Sequence, residues 1–131
     1  MERARLTRHR FEVALSRGRQ AVERARLAGA AWLIGESSGD DPRALAAALA
    51  SGACGYALLR RHGQAAHAAL VGATVAAAQL GLYWSPRGTG AGLAARLAVC
   101  LHPGVRDWRR PLPPWVATAP DTTQSMARRL P

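Results

Sequence analysis

The apolar positions of the chain fall into segments of helical period separated by glycine, proline and charge. Phe11, Val13, Ala14, Leu15, Val22, Leu27, Ala30 and Trp32 predict helix over residues 3–33. Gly18 and Gly29 interrupt it, so one long helix and two shorter ones both satisfy the pattern. Residues 35–42, Gly-Glu-Ser-Ser-Gly-Asp-Asp-Pro, predict a loop, and Asp41 before Pro42 suits the start of the next helix. That helix is expected to reach His62 and stop at Gly63, with Arg60 and Arg61 favourably placed at its C-terminal end. A further helix is expected over about 64–84, ending before Ser85-Pro86, and a short one over 90–101, ended by His102-Pro103-Gly104. No segment predicts a strand. The two glycine stops, at Gly63 and Gly88, each separate two Ala-rich apolar segments. Repeated helix pairs of this kind build solenoids, which bind other chains.

Two features compete with a purely helical soluble domain. Residues 62–86 carry no Asp, Glu, Lys or Arg, and the stretch is long enough for a membrane span. Residues 44–59 form a second, shorter uncharged stretch. Against insertion, the longer stretch is mainly Ala and Gly and contains His67, Thr74 and Gln79, so its hydropathy is marginal. The alternative is a central helix buried by close-packed neighbours. From Arg109 onward, Pro111, Pro113, Pro114, Pro120 and Pro131 predict a flexible tail over 109–131, leaving 1–108 as the helical domain.

Composition then narrows the partners. The chain has 131 residues, 29 of them alanine, with 18 arginines and no lysine or asparagine, a pattern that reads as GC-rich codon usage. The net charge of +10 favours acidic partners, nucleic acid or anionic membrane. Nucleic-acid binding calls for a basic stripe interleaved with stacking aromatics, whereas the arginines are scattered, with some clustering over 3–26. Cys54 and Cys100 are isolated and are expected as small buried hydrophobes, although two cysteines can pair. The charged N-terminal segment, 1–26, lacks the apolar core of a signal peptide.

Candidate chemistry is sparse. Gly88-Thr89-Gly90-Ala91-Gly92 has the outline of a phosphate-binding loop, with Asp107 near the spacing of a ribose-binding acid, but the segment before it reads as helix where the motif needs a strand. Cys100 and His102 are two positions apart and do not share a helix face, and no histidine shows metal-ligand spacing. Of the eight carboxylates only Asp40 and Asp41 are adjacent, and these suit a helix start. The expectation is a non-enzymatic chain with no metal and no cofactor. Trp32 and Trp84 are expected at helix crossings, and Trp108 and Trp115 flank an Arg-Pro-rich segment that reads as a tail packed on the domain, with a short docking segment as the alternative.

Four patches, in order, carry a resemblance. Glu12-Val13-Ala14-Leu15 with Gln20 is similar to an opening helix and turn. Ala30-Ala31-Trp32-Leu33 is similar to an Ala-Glu-Trp-Leu motif, and Gly63 with Ala68 to the glycine and small residue of a tetratricopeptide hairpin. Gly88 to Leu97 is similar to Gly-x-Gly-Ala-x-Leu-x-x-Arg-Leu, with a weaker echo over Pro103–Trp108. Over residues 11–108 the chain resembles the small tetratricopeptide-like chaperones of type III secretion needle subunits, with residues 35–43 as an insertion and the tail unmatched.

The resemblance implies an all-α, tetratricopeptide-like stack of antiparallel helix pairs. It also implies a cytoplasmic, virulence-associated chaperone that holds the needle subunit soluble, together with a second small helical cochaperone. A concave groove would bury the subunit's amphipathic helix and prevent premature polymerisation. In such repeats the first helix of each pair lines the groove. Spacing back from Gly63 proposes Ala50, Ala53, Ala57 and Arg60; spacing back from Gly88 proposes Ala78, Leu82 and Ser85. The alternative from another class is a small basic membrane protein with one span at 64–84 or a hairpin of 44–59 and 64–84. A third is an arginine-driven nucleic-acid binder, with steep salt dependence.

Overall fold

Helix α1 runs unbroken from Arg8 to Leu27, straight through Gly18. The computed structural model describes residues 5–37, 39–112 and 127–129. Thr7 caps α1 by accepting from the Arg10 N–H, and Gly29, in the left-handed region at φ 92°, ends it. The helix tolerates Gly18 because that residue is the contact point with α4, Ala65–Gln79. A Cβ at Gly18 would fall on the Ala69 carbonyl, and one at Gly72 on the Leu15 carbonyl. Each helix thus presents a glycine to the other's backbone, and α1 packs chiefly on α4.

The chain is mostly helical, but three expected helices change their ends, and the one expected over 3–33 spans Arg8–Leu27. The segment expected as one helix to His62 divides into α2, Arg43–Ala50, and α3, Tyr56–His62. The break between them carries Gly52 at φ 87° and Gly55 at φ 143°, conformations that suit glycine alone. The helix expected over 64–84 stops at Gln79; Gly81 at φ 75° turns the chain, and residues Tyr83–Pro86 form a strand. The last helix, α5, spans Thr89–Leu101, and Pro103–Asp107 follow as a 3-10 turn.

Strands are the main departure from the sequence expectation. β1, Trp32–Gly35, pairs in parallel with β2, Tyr83–Pro86, in the register Leu33 to Trp84 and Ile34 to Ser85. Trp32 and Trp84, expected at helix crossings, therefore lie on neighbouring strands. On its other edge β1 pairs antiparallel with β3, Ala127–Arg129, giving the order β2-β1-β3. The parallel pair needs a crossover, and α2, α3 and α4 supply it. Residues 33–35 are buried in succession, the mark of a strand covered on both faces and the reason no alternating pattern announced it.

The expected boundary at 108/109 does not coincide with an end of contacts. The Trp84 N–H donates to the Trp108 carbonyl at 2.9 Å, and the Arg110 N–H to the Trp84 carbonyl at 2.8 Å. The Arg110 guanidinium lies 4.6 Å from the Tyr83 ring centroid. Residues 109–112 thus lie along β2 rather than in a free tail; 113–126, including Trp115, lie outside the described residues.

Helix α4 is the core. Ten of its 15 residues are buried, so it needs no polar face, which explains the uncharged stretch. At 1.5 Å per residue it is about 22 Å long, short of a bilayer core of about 30 Å. No helix among the described residues is long and apolar enough to cross a membrane. The two stretches proposed as spans, 44–59 and 64–84, are each cut by a glycine turn.

Cys54 and Cys100 are not buried hydrophobes. Both are exposed and form a disulfide across 46 residues of sequence, tying the α2–α3 turn to the end of α5.

Candidate protein-binding grooves

The residues proposed for one groove are distributed over separate places. Ala53 and Ala57 line a concavity between α2 and α3, with Ala44, Ala47 and Ala48 on its α2 wall and Arg61 and His62 at one end. Its volume is about 540 Å³. Ala50 is exposed on α2 but does not line that concavity. Arg60 points to the other side of α3, where its Nε donates to the Leu6 carbonyl at 3.0 Å. Ala78 is half-buried on α4. Leu82 and Ser85 are buried, 4% and 0% exposed, and present nothing to a partner. Ser85 instead accepts from Trp32 Nε1 at 2.8 Å and donates to the Pro111 carbonyl at 3.3 Å, fastening the 109–112 segment to the sheet.

The strand before Gly88-Thr89-Gly90-Ala91-Gly92 restores one element of the phosphate-loop outline, because β2 precedes the glycines where helix was expected. The space at the carboxyl ends of β1 and β2, where such sheets bind ligands, holds the chain's own carboxylates. Asp40 packs on Gly90 so closely that a Cβ there would fall on its Oδ2. That places a negative charge at the start of α5, where the helix dipole favours it. Glu36, 6% exposed, faces Arg87 at 3.6 Å. A phosphate at this position would meet the Asp40 carboxylate. Asp107 closes the 3-10 turn and does not end a strand.

Ser37, Asp40 and His67 form a hydrogen-bonded row, but in an order that does not activate a nucleophile. The Ser37 hydroxyl donates to Asp40 Oδ1 at 2.8 Å, so the serine touches the carboxylate and not the imidazole. His67, fully buried, accepts the Gln64 N–H at Nδ1 (2.9 Å), which places its proton on Nε2, 2.8 Å from Asp40 Oδ2. Nδ1 thereby caps the α4 N-terminus, and Nε2 ties it to Asp40. Burial pushes the Asp40 carboxyl up, but the hydrogen bonds from Ser37 and His67 and the charge interaction with His67 outweigh it and hold the group below its ordinary value. Asp41 is pulled down to about 2 by its hydrogen bond from the Arg43 side chain and by the Arg43 N–H. Among the described residues, no group of three His, Cys, Asp or Glu side chains is arranged to hold a metal ion.

A second groove, not anticipated in the sequence, lies between α1 and α4. Val13 and Ala14 of α1 and Ala65, Ala66 and Ala69 of α4 floor it, Arg10 and Arg17 stand on its rim, and its volume is about 390 Å³. Arg10, Ala65 and Ala66 are shared with an adjoining hollow that reaches Arg5 and Leu6. The signal in the sequence was the spacing of Arg10 and Arg17, two helical turns; which wall they would face depended on the α1–α4 crossing.

Comparison of the chain with known protein families, with curated proteins and with solved structures finds no match, and the resemblance to the secretion chaperones rests on its four patches alone.

Proposed function

We propose that this chain is a non-enzymatic protein-binding module that shields an apolar helix face of a partner in the groove between α2 and α3. One observation carries the proposal: five alanines on two short helices and their turn leave an apolar concavity on the surface, and two of them, Ala53 and Ala57, are residues that the helix-pair spacing selects for partner contact. Small side chains let a docked helix approach closely, and Arg61 adds a cation to the groove lining.

The finer version is a type III secretion chaperone with a tetratricopeptide-like stack, holding the needle subunit together with a second small helical cochaperone in the cytoplasm. Three of its patches lie on helices or helix junctions: the first in α1, the third at the α3–α4 junction and the fourth at the start of α5. Ala30-Ala31-Trp32-Leu33 enters β1 instead of a helix, and α1 packs on α4 and not on its sequence neighbour α2, so support for a repeat stack comes from the segments after residue 56.

The test is co-expression with the needle subunit encoded nearby. The expected result is a soluble complex in place of polymer, lost in Ala57→Glu while the variant keeps its circular-dichroism spectrum and melting temperature, because Ala57 is exposed. A needle subunit that stays polymeric with the wild-type chain refutes the finer version. An Ala57→Glu variant that binds every helical client as the wild type does refutes the groove. Leu82 is unsuited to such a test, since a charge in that buried position unfolds the chain.

A further inference from the structure

The rim of the α1–α4 groove is one-sided in charge. Arg10 and Arg17 are exposed, and neither has a carboxylate partner among the described residues, whereas Arg8 and Arg19 on the same helix pair with Glu12 and Glu23 at 3.4 and 3.0 Å. Seven residues on an α-helix rise about 10.5 Å, so the two guanidiniums stand two turns apart along one edge. Beneath them the floor is apolar and recessed: Val13 and Ala66 are half-buried, and Ala14 and Ala69 are 5% exposed. The adjoining hollow adds Arg5 and Leu6 but also Asp40 and Gln64, so the cationic edge over an apolar floor is confined to the groove between Arg10 and Arg17.

We infer that this groove docks a partner protein's amphipathic helix that carries two carboxylates seven positions apart. Such a helix has the same rise as α1, so acids at i and i+7 meet Arg10 and Arg17 together while its apolar stripe lies on the alanine floor. This is helix-in-groove recognition, with the third helix packed against a preformed pair. The pairing selects register: a shift of the docked helix by one turn removes at least one ion pair. Guanidinium groups take carboxylates in bidentate geometry, and the chain's charge of +10 steers an acidic partner towards it. The observations favour a peptide over the other acidic ligands. Among the described residues that line the groove His9 alone carries a ring, where a base-binding face interleaves several with its cations, and the apolar surface is recessed, where a membrane-binding face protrudes. The inference is independent of the α2–α3 groove, which lies on other helices.

The probe is a synthetic helix of about fifteen residues with an Ala/Leu stripe and glutamates seven positions apart, titrated into the full chain by fluorescence anisotropy at about 0.15 M salt. Wild type is expected to bind it, and Arg10→Glu with Arg17→Glu to weaken binding by at least about tenfold without changing the melting temperature, because both side chains are exposed and have no carboxylate partner among the described residues. Binding by that double variant is expected to return with a peptide carrying lysines in place of the glutamates, and moving one glutamate by two positions is expected to cost as much as deleting it. Ala57→Glu is expected to leave the titration unchanged, which separates this groove from the other. Binding indifferent to the two arginines, or unchanged by the moved glutamate, overturns the inference. So does tighter binding, at the same salt, to duplex DNA or to vesicles of phosphatidylserine and phosphatidylcholine.

Discussion

Asp40 shows how one side chain joins three parts of the chain. Its two oxygens take the Ser37 hydroxyl and the His67 imidazole, and its body rests on Gly90, so the 36–40 loop, α4 and α5 meet on one carboxylate. Its side chain is 11% exposed, and the Ser37 and His67 donors favour its charged form against the cost of that burial. The folded pKa lies below the ordinary value of 3.8, so the unfolded chain takes up a proton first as pH falls. The stabilisation is therefore complete above about pH 4 and lost as pH falls through the folded value. Asp40→Asn is expected to cost about 1–3 kcal/mol at pH 6, from weaker hydrogen bonds. The gap between wild type and variant in chemical denaturation is expected to close as pH drops below 3.8. A gap that stays constant down to about pH 2 would show that the carboxylate's charge contributes nothing.

Among elements, the α1–α4 crossing sets the architecture, and it depends on Gly18, which sequence reasoning treats as a helix interruption, and on Gly72, which lies inside the helix expected over 64–84. Gly18 lowers intrinsic helix propensity by about 1 kcal/mol relative to Ala, and on that ground α1 had two solutions. Its packing role appears only once α4 is in place, because the obstacle to a Cβ is the backbone of Ala69 and Ala73, which cannot swing aside. Gly18→Ala is thus expected to destabilise the fold by at least about 3 kcal/mol despite its better propensity. Gly92→Ala, at a helical glycine where a Cβ meets nothing within 4 Å, is expected to stabilise it by about 0.5–1 kcal/mol. Equal effects at the two positions, read from urea midpoints, would remove the close-packing account.

The same level separates what was legible from what was not. Helix α5 and the stop at Gly63 follow from local rules, as does the Arg43 N–H bond to Asp41, although Pro42 and not Asp41 holds the N-cap position of α2. β1 and β2 do not, because both are very short and β1 is covered on both faces, leaving no period to read. That miss propagated to the groove. Ending the fourth helix at 84 rather than 79 put Leu82 and Ser85 on a helix surface, whereas Leu82 leads into β2, Ser85 lies within it, and both turn into the core. Spacing back from Gly63 selects Ala50, Ala53, Ala57 and Arg60, of which Ala53 and Ala57 line the α2–α3 concavity and Ala50 and Arg60 do not, because the chain turns at Gly52 and Gly55 and the Arg60 side chain reaches Leu6.

In the whole molecule, the periphery is held to the core by one covalent tie. The α2–α3 turn packs little of its own, since residues 50–54 are all exposed, yet Cys54 joins it to Cys100 at the end of α5. Beside the bond, the Tyr56 hydroxyl and His102 Nε2 are 2.9 Å apart, a second link between the same two elements. Closing a loop of 46 residues restricts the unfolded chain by about 4 kcal/mol in the chain-entropy account, a large share of a small domain's stability. The exposure of both cysteines leaves the bond open to dithiol reductants, and it persists only in oxidising surroundings, a demand opposed to the cytoplasmic placement implied by the secretion-chaperone resemblance. Reduction under native conditions is expected to yield two alkylated cysteines by mass spectrometry without denaturant. The urea midpoint should drop by the equivalent of about 3–4 kcal/mol, and the α1–α4 core should remain folded by circular dichroism in water. Because Ala53 sits in the released turn, the α2–α3 groove should bind more weakly after reduction, while binding at the Arg10 and Arg17 rim should be unaffected. Alkylation that requires denaturant, or a midpoint that does not move once both thiols are shown to be free, would mean that the tie carries neither the stability nor the groove.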